Sequence, residues 1–189
     1  MTPEHEFDGI SAGVLEAACR VSLLILDVDG VLTDCGLYYD AEGKVCKRFH
    51  VQDGLGIWIA RKAGIHVAVI TGQAVASVDA RMRDLGISDY FSGCSDKRDK
   101  YMELLQKYSL SQDQAAYVGD DWVDLPVMAQ VGFPVAVADA QPEVRDIARY
   151  CTRTRGGNGA VREVIRLLLH SRGMLRQLAG QWKEGLPHE

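Results

Sequence analysis

Four short aliphatic runs punctuate the chain: VSLLILDV (21–28), HVAVITG (66–72), AAYVGDD (115–121) and FPVAVAD (133–139). Their unbroken, β-branched character is that of strands covered on both faces, as in a parallel sheet. Helical patterns lie between them. DGLGIWIARKAG closes on Gly64, and ASVDARMRDLG sets Val78, Met82 and Leu85 on one face ahead of Gly86, both glycines suiting helix C-terminal caps. DKRDKYMELLQKYS and AVREVIRLLLHSRG continue the alternation. The pattern predicts an α/β fold with a doubly wound, mainly parallel sheet of Rossmann-like type. One stretch breaks the rhythm: GLYYDAEGKVCKRFHV (36–51) has two β-leaning arms around DAEG and predicts a β-hairpin inserted after the first strand. The core domain is thus placed at 20–172, with an N-terminal extension at 1–19. RTRGGNGA (153–160) is a glycine-rich loop before the last helix, and the polar tail 173–189 is expected to fray.

Composition narrows the class. A length of 189 residues suits one domain with a real core, and 47% hydrophobic with 25% charged residues is globular usage. A net charge of -5 argues against general binding to nucleic acid or an anionic membrane, while leaving room for a local anion site. No apolar run approaches the roughly 20 residues that span a bilayer. The N-terminal MTPEHEFDGISAG is acidic and lacks an apolar signal core, so a cytoplasmic protein is expected. The five cysteines are scattered without a CxxC and read as reduced packing thiols, although Cys35 and Cys46 flank the hairpin closely enough to approach one another.

Candidate chemistry sits where the strands end. Ligands of open α/β sheets bind outside the carboxyl ends of the strands. Here those ends carry Asp27 and Asp29, then Thr71-Gly72, then Asp120 and Asp121 with Asp124 beyond, then Asp139. Folding therefore gathers several like charges in one crevice. A hard divalent cation relieves the repulsion, and Mg²⁺ typically takes one or two carboxylates plus waters and a phosphate. Residues i and i+2 of an extended chain point the same way, so Asp27 and Asp29 can face one substrate while Gly30 turns the chain aside. One of the two can attack phosphorus and the other handle protons. Thr71 and the amides after it would hold phosphate oxygens, and a lysine would neutralise the transferring group. Any one such aspartate is ordinarily a turn former or helix cap. DxDG, hydrophobic-TG, Lys and GDDxxD in that order are hard to assemble by chance.

DVDGVLTD, VITG, Lys97 and VGDDWVD together resemble the four motifs of the haloacid dehalogenase-like phosphohydrolases. The resemblance implies Asp27 as nucleophile, Asp29 as general acid/base, Thr71 as phosphate ligand and Lys97 as the charge-balancing lysine, with Lys100 as the other candidate. It further implies Mg²⁺ held by the Asp27 side chain, the Asp29 backbone carbonyl and Asp120, with Asp121 and Asp124 orienting neighbouring groups. The gaps from Asp34 to Thr71 and from Thr71 to Lys97 leave little room for a cap domain. RFHVQDGLGI and GGNGAVREV are similar to stretches of the capless 3-deoxy-D-manno-octulosonate 8-phosphate phosphatases, relatives of the nonulosonate 9-phosphate phosphatases. The likeness spans about residues 20–172. It implies hydrolysis of a phosphorylated sugar acid in lipopolysaccharide precursor synthesis. It also implies a homotetramer packed through its hairpins, with the glycine-rich tail reaching a neighbour's site. Tyr38, Tyr39 and Phe49 would then lie between chains, or else pack on their own sheet. His50, Val51, Gln52, Asp53, Gly54, Gly72, Gln73 and Arg81 would join Asp29, Thr71 and Lys97 in binding substrate. Gln52 and Gln73 replace the arginines usual in that family, which removes two charge-assisted contacts. Arg81, Arg155 or Arg162 could compensate. Two other classes share features: a nonulosonate phosphatase, and a phosphoacceptor signalling switch, whose acceptor aspartate lies on a later strand than its acidic pair.

Overall fold

The computed structural model describes residues 6–185. Helix α1 (Ala12–Arg20) starts at Ser11, whose hydroxyl accepts from the Val14 amide, and it buries Ala17 and Ala18. The aliphatic runs then become strands. β1 (Leu23–Leu26) is buried at every position. A hairpin follows, formed by β2 (Tyr38–Tyr39) and β3 (Val45–Cys46). After it come α2 (Val51–Lys62), β4 (His66–Ile70), α3 (Ala76–Asp84), β5 (Asp89–Phe91) and α4 (Arg98–Tyr108). The second half runs through β6 (Ala115–Gly119), α5 (Leu125–Met128), β7 (Phe133–Ala136), α6 (Pro142–Ile147), β8 (Tyr150–Cys151), α7 (Ala160–Ser171) and α8 (Leu175–Lys183).

The main sheet has the order β5-β4-β1-β6-β7-β8, all neighbours parallel. From β1 the chain builds outward through β4 and β5, then returns to lay β6, β7 and β8 on the other side. The winding direction reverses beside β1, which opens a crevice at its carboxyl end. Helices cover both faces. Val161, Val164, Ile165, Leu168 and Leu169 of α7 are buried in i, i+3, i+4 steps, and that stripe packs α7 against α1 and α2. Truncating Leu168 to alanine there should cost about 2–5 kcal/mol. Among the described residues a helical turn at Val28–Leu32, the hairpin and α2 lie between β1 and β4, and α3 and β5 lie between β4 and α4, with no further domain in either gap.

Three features differ from the sequence reading. β5 and β8 extend the four expected strands at the two edges, where short polar-flanked strands carry little pattern. The segment read as an extension contains α1, which packs on α7. Of the tail expected to fray, Leu175–Lys183 forms α8, with Leu175 and Leu178 against the core and the Trp182 ring edge-on to Trp58 at 5.9 Å, while its last four residues lie outside the described ones.

The hairpin is tied down on both flanks. Its turn closes on Asp40, whose Oδ1 accepts from the amides of Glu42 (3.0 Å) and Lys44 (2.8 Å). Phe49 bridges to Thr33, and Arg48 donates to Asp34 (3.0 Å) and to the Gly157 carbonyl (3.1 Å). On the other side the Ser77 hydroxyl of α3 donates to the Val45 carbonyl. Tyr38 and Tyr39 nonetheless project outward, 52% and 65% exposed, so they do not pack on their own sheet. The cysteines of the described chain are all free thiols. No helix there is long and apolar enough to cross a membrane.

Candidate active site

Asp27 follows β1 directly, in extended backbone, and is buried. Gly30, three residues on, has φ +83°, and a Cβ there would overlap the Asp120 carboxylate. Glycine therefore does two things at once: it permits the left-handed turn and lets the acid after β6 lie over the DxDG loop. Asp120 and Asp121 continue from β6, and a helical turn at Trp122–Asp124 folds Asp124 back beneath them.

Lys97, the residue before α4, joins these elements. It is 2% exposed, and its Nζ donates to Asp27 Oδ1 (2.6 Å), Asp124 Oδ1 (2.7 Å) and the Tyr117 hydroxyl (3.0 Å). Tyr117 donates in turn to Asp124 Oδ1 at 2.7 Å, and Asp124 Oδ2 accepts from the Asp120 and Asp121 amides. Both Asp124 oxygens are thus committed. Lys100, the other candidate lysine, pairs with Glu103 on the surface.

Asp120 lacks such support. Its Oδ1 is buried with no hydrogen-bond partner, within a group in which oxygens of Asp27, Asp120 and Asp124 lie within 4.8 Å of one another. Burial, reinforced by the charges of Asp27 and Asp124, pushes the Asp120 carboxyl up to about 8. Burial and the Asp124 charge push Asp27 up to about 7, against the pull of Lys97. Burial works against the Lys97 ammonium, yet Asp27 and Asp124 outweigh it and hold its pKa above the usual lysine value. An orphaned buried carboxylate oxygen beside a second raised carboxyl, with oxygen donors alone, fits a hard divalent cation. Asp27 and Asp120 have oxygens to offer it; Asp124 does not.

A second charged group adjoins the first. Lys47, carried just past β3, is fully buried in its side chain and donates to Asp29 Oδ1 (2.5 Å), Asp29 Oδ2 (2.7 Å) and Gln73 Oε1 (3.0 Å). Thr71 follows β4 directly; it is buried and its Oγ1 accepts from the Gln73 amide at 3.4 Å. Gly72 lies against the Cys94 carbonyl. In the glycine-rich loop, Gly156 and Gly157 sit against the backbone of Gly30 and Thr33, and the Gly157 amide donates to the Val31 carbonyl. A Cβ at either glycine would strike that backbone.

The other expected substrate contacts lie just before α2 (His50), on α2 (Val51, Gln52, Asp53 and Gly54) and on α3 (Arg81). Asp53 is 1% exposed and accepts from the Arg162 amide at 2.7 Å, so it caps α7 rather than lining an open loop. His50 precedes α2 and faces Gly159, Gly54 lies beneath the Arg81 guanidinium, and Arg81 also stands over the Phe49 ring at 5.9 Å. Val51 is exposed, and Gln52 lines a cavity of about 290 Å³ with Arg153, Arg162 and Arg166. Lys47 and Tyr117 were not singled out from sequence. The only signal for Lys47 is strand alternation, which turns Val45 and Lys47 to the side opposite exposed Cys46.

This fold and this gathering of acids define a haloacid dehalogenase-like hydrolase, and the model of that family matches residues 92–165. The 3-deoxy-D-manno-octulosonate 8-phosphate phosphatase of Escherichia coli strain K12 is 46% identical over 172 residues, 91% of this chain and 92% of the relative. The crystal structure of the Yersinia pestis phosphatase of the same name superposes with a TM-score of 0.85 at 45% identity, covering 87% of this chain and 89% of that one. The Moraxella catarrhalis phosphatase, solved in complex with magnesium, phosphate and KDO, gives a TM-score of 0.86 at 37% identity over 89% and 97% of the two chains. The chain belongs to the 3-deoxy-D-manno-octulosonate 8-phosphate phosphatase family.

Proposed function

We propose that the chain is a Mg²⁺-dependent phosphoric monoester hydrolase that converts 3-deoxy-D-manno-octulosonate 8-phosphate to the free sugar acid and phosphate. The observation that carries the reading is the Lys97 bridge between Asp27 and Asp124 beside the orphaned Asp120 oxygen. A nucleophile and a cation-seeking acid are there held on one rigid framework.

Asp27 attacks phosphorus, so that its carboxylate oxygen gains the bond to phosphorus as the bond to the sugar oxygen breaks. Asp29 gives its proton to that departing oxygen. Water then attacks the aspartyl-phosphate, passes a proton to Asp29, and releases phosphate with Asp27 restored. The Thr71 hydroxyl and the Gly72 amide hold phosphoryl oxygens, and Lys97 balances their charge. Mg²⁺ would be held by the Asp27 and Asp120 side chains and the Asp29 carbonyl, and supplies countercharge between the carboxylates and the phosphoryl group.

The substrate assignment draws on the named relatives and on a capless site in which Asp27, Thr71 and Lys97 are buried. Gln52 and Gln73 are neutral where the family usually carries arginine, which favours direct comparison of acidic sugars. Release of phosphate from octulosonate 8-phosphate, a nonulosonate 9-phosphate and p-nitrophenyl phosphate should be timed with Mg²⁺ and with EDTA. The expected order puts the octulosonate first and EDTA abolishes turnover. Equal rates on p-nitrophenyl phosphate would overturn the sugar-acid assignment, and a single stoichiometric release would instead indicate a signalling switch.

The protein is assigned to the cytoplasm and to a homotetramer packed through its hairpins. Exposed Leu37, Tyr38 and Tyr39 on one hairpin support that packing.

A further inference from the structure

Lys47 is a buried cation on an element with little else buried. The two-residue strands of its hairpin carry exposed tyrosines, yet its own side chain is fully enclosed against a carboxylate. Taking an ammonium out of water costs several kcal/mol that a single pairing offsets only in good geometry. For stability alone an apolar residue would serve as well. Both flanks of the hairpin are fastened at the level of Lys47: Arg48 to Asp34 and Gly157, Val45 to Ser77. These ties aim one side chain at Asp29.

We propose that Lys47 is a positioning residue that acts through Asp29 and Gln73. A carboxyl group has about four lone-pair directions, one of which carries the proton in the protonated form. Lys47 occupies one on each Asp29 oxygen, which fixes the rotamer and leaves the outer pair toward the ester oxygen or the attacking water. After each proton transfer the carboxylate returns to the same place. The same ammonium holds Gln73 Oε1, so the Gln73 amide nitrogen faces away as a neutral donor to substrate oxygens. A residue at position 73 that keeps the lysine's partner oxygen would preserve this arrangement; an arginine would set two cations side by side. The proposal rests on the proton-handling role given to Asp29, and it extends the specificity reading by making Lys47 and residue 73 a coupled pair.

The test is a cycle of Lys47→Met and Asp29→Asn, read as kcat and KM on the sugar phosphate with saturating Mg²⁺, with Lys47→Arg alongside. Melting temperature and Mg²⁺ titration by calorimetry verify folding; if Lys47→Met does not fold, Lys47→Gln takes its place. Loss of such an orienting partner typically costs about 10–100-fold. Lys47→Met should lower kcat by that factor, with a smaller rise in KM through Gln73, and Lys47→Arg should restore most of the kcat. In the Asp29→Asn background the lysine change should lower kcat no further and leave only the KM effect. A raised KM at unchanged kcat, or an equal loss of kcat in both backgrounds, would show that Lys47 acts on substrate directly and overturn the proposal. An Asp29→Asn enzyme as fast as wild type would remove the role of Asp29 itself, and the proposal with it.

Discussion

Two lysines meet carboxylates at the carboxyl ends of the central strands, and their surroundings differ. Lys97 stands at the root of α4 and ties together side chains from the ends of β1 and β6, all anchored in the buried framework. Lys47 arrives on a hairpin whose strands are two residues long and whose outer face is open. The group proposed to form and break a covalent bond thus rests on the rigid part of the molecule. The group proposed to move protons is steered by an inserted element. Damage to the first should be far more severe than damage to the second, and that ranking can be tested.

Asp27→Asn should be the extreme. It removes the proposed nucleophile while keeping shape, and kcat on the sugar phosphate should fall at least about 10⁴-fold, since side chains that act as a unit lose nearly everything together. Retention of most activity would mean that the framework site is not the reacting one. Lys97→Met follows. Breaking a buried ion pair typically costs about 3–5 kcal/mol, because it leaves the partner charge uncompensated. Lys97 serves two carboxylates, so denaturant unfolding of the metal-free protein should show a loss of that order, with part of it recovered in Mg²⁺. A variant as stable as wild type in EDTA would erase the contrast between the two lysines.

That contrast also marks what the chain made readable. β1, β4, β6 and β7 are buried runs, and their aliphatic letters suffice. Asp27, Thr71 and Asp120 follow such runs immediately, so locating the strands locates them. Lys97 could be preferred over Lys100 because it stands where a helix begins; its ammonium lies between Asp27 and Asp124, whereas Lys100 pairs with Glu103. Lys47 was hidden because its partner lies 18 residues away across a hairpin whose orientation depends on ties to the Gly157 loop and α3. Asp53 looked like part of a substrate loop. Its actual partner is the α7 amide of Arg162, 109 residues distant, a helix-capping contact that no local pattern announces. β5 and β8 escaped notice for a simpler reason: three residues and two residues at sheet edges leave no periodicity to detect.

A smaller effect should follow from the titration of the framework site. Asp27 and Asp120 rise from 3.8 to about 7 and about 8 on folding, driven first by burial; the Asp124 charge raises both, the Asp27 and Asp121 charges add to Asp120, and Lys97 opposes. The folded state therefore binds protons that the unfolded chain gives up near pH 4. This contribution to stability is present at low pH and is lost as pH climbs through about 7 to 8. In EDTA, the melting temperature of wild type relative to Asp120→Asn should decline between pH 5.5 and pH 8.5, and Mg²⁺ should raise it more at the upper end. A wild-type difference that stays flat with pH would mean the two acids are not crowded as their geometry indicates.

Tyr117→Phe should have the mildest consequence and separates support from chemistry within the Lys97 group. The hydroxyl is wholly buried, receives from Lys97 and donates to Asp124. Removing it leaves the aromatic ring packed and leaves Lys97 paired with both carboxylates. Asp124 Oδ1 keeps the ammonium, and Oδ2 keeps the two backbone amides. No partner is stranded, so the cost should be that of one hydrogen bond to a charged group, about 1.5–3 kcal/mol, measured by chemical denaturation. Because the Asp27 carboxylate and Lys97 ammonium proposed to face the phosphoryl group keep their positions, kcat should change by only a few-fold. A loss approaching that of Lys97→Met would place the tyrosine hydroxyl among the groups that set the lysine's aim, and would make the framework site as dependent on a single orienting contact as Asp29 is proposed to be on Lys47.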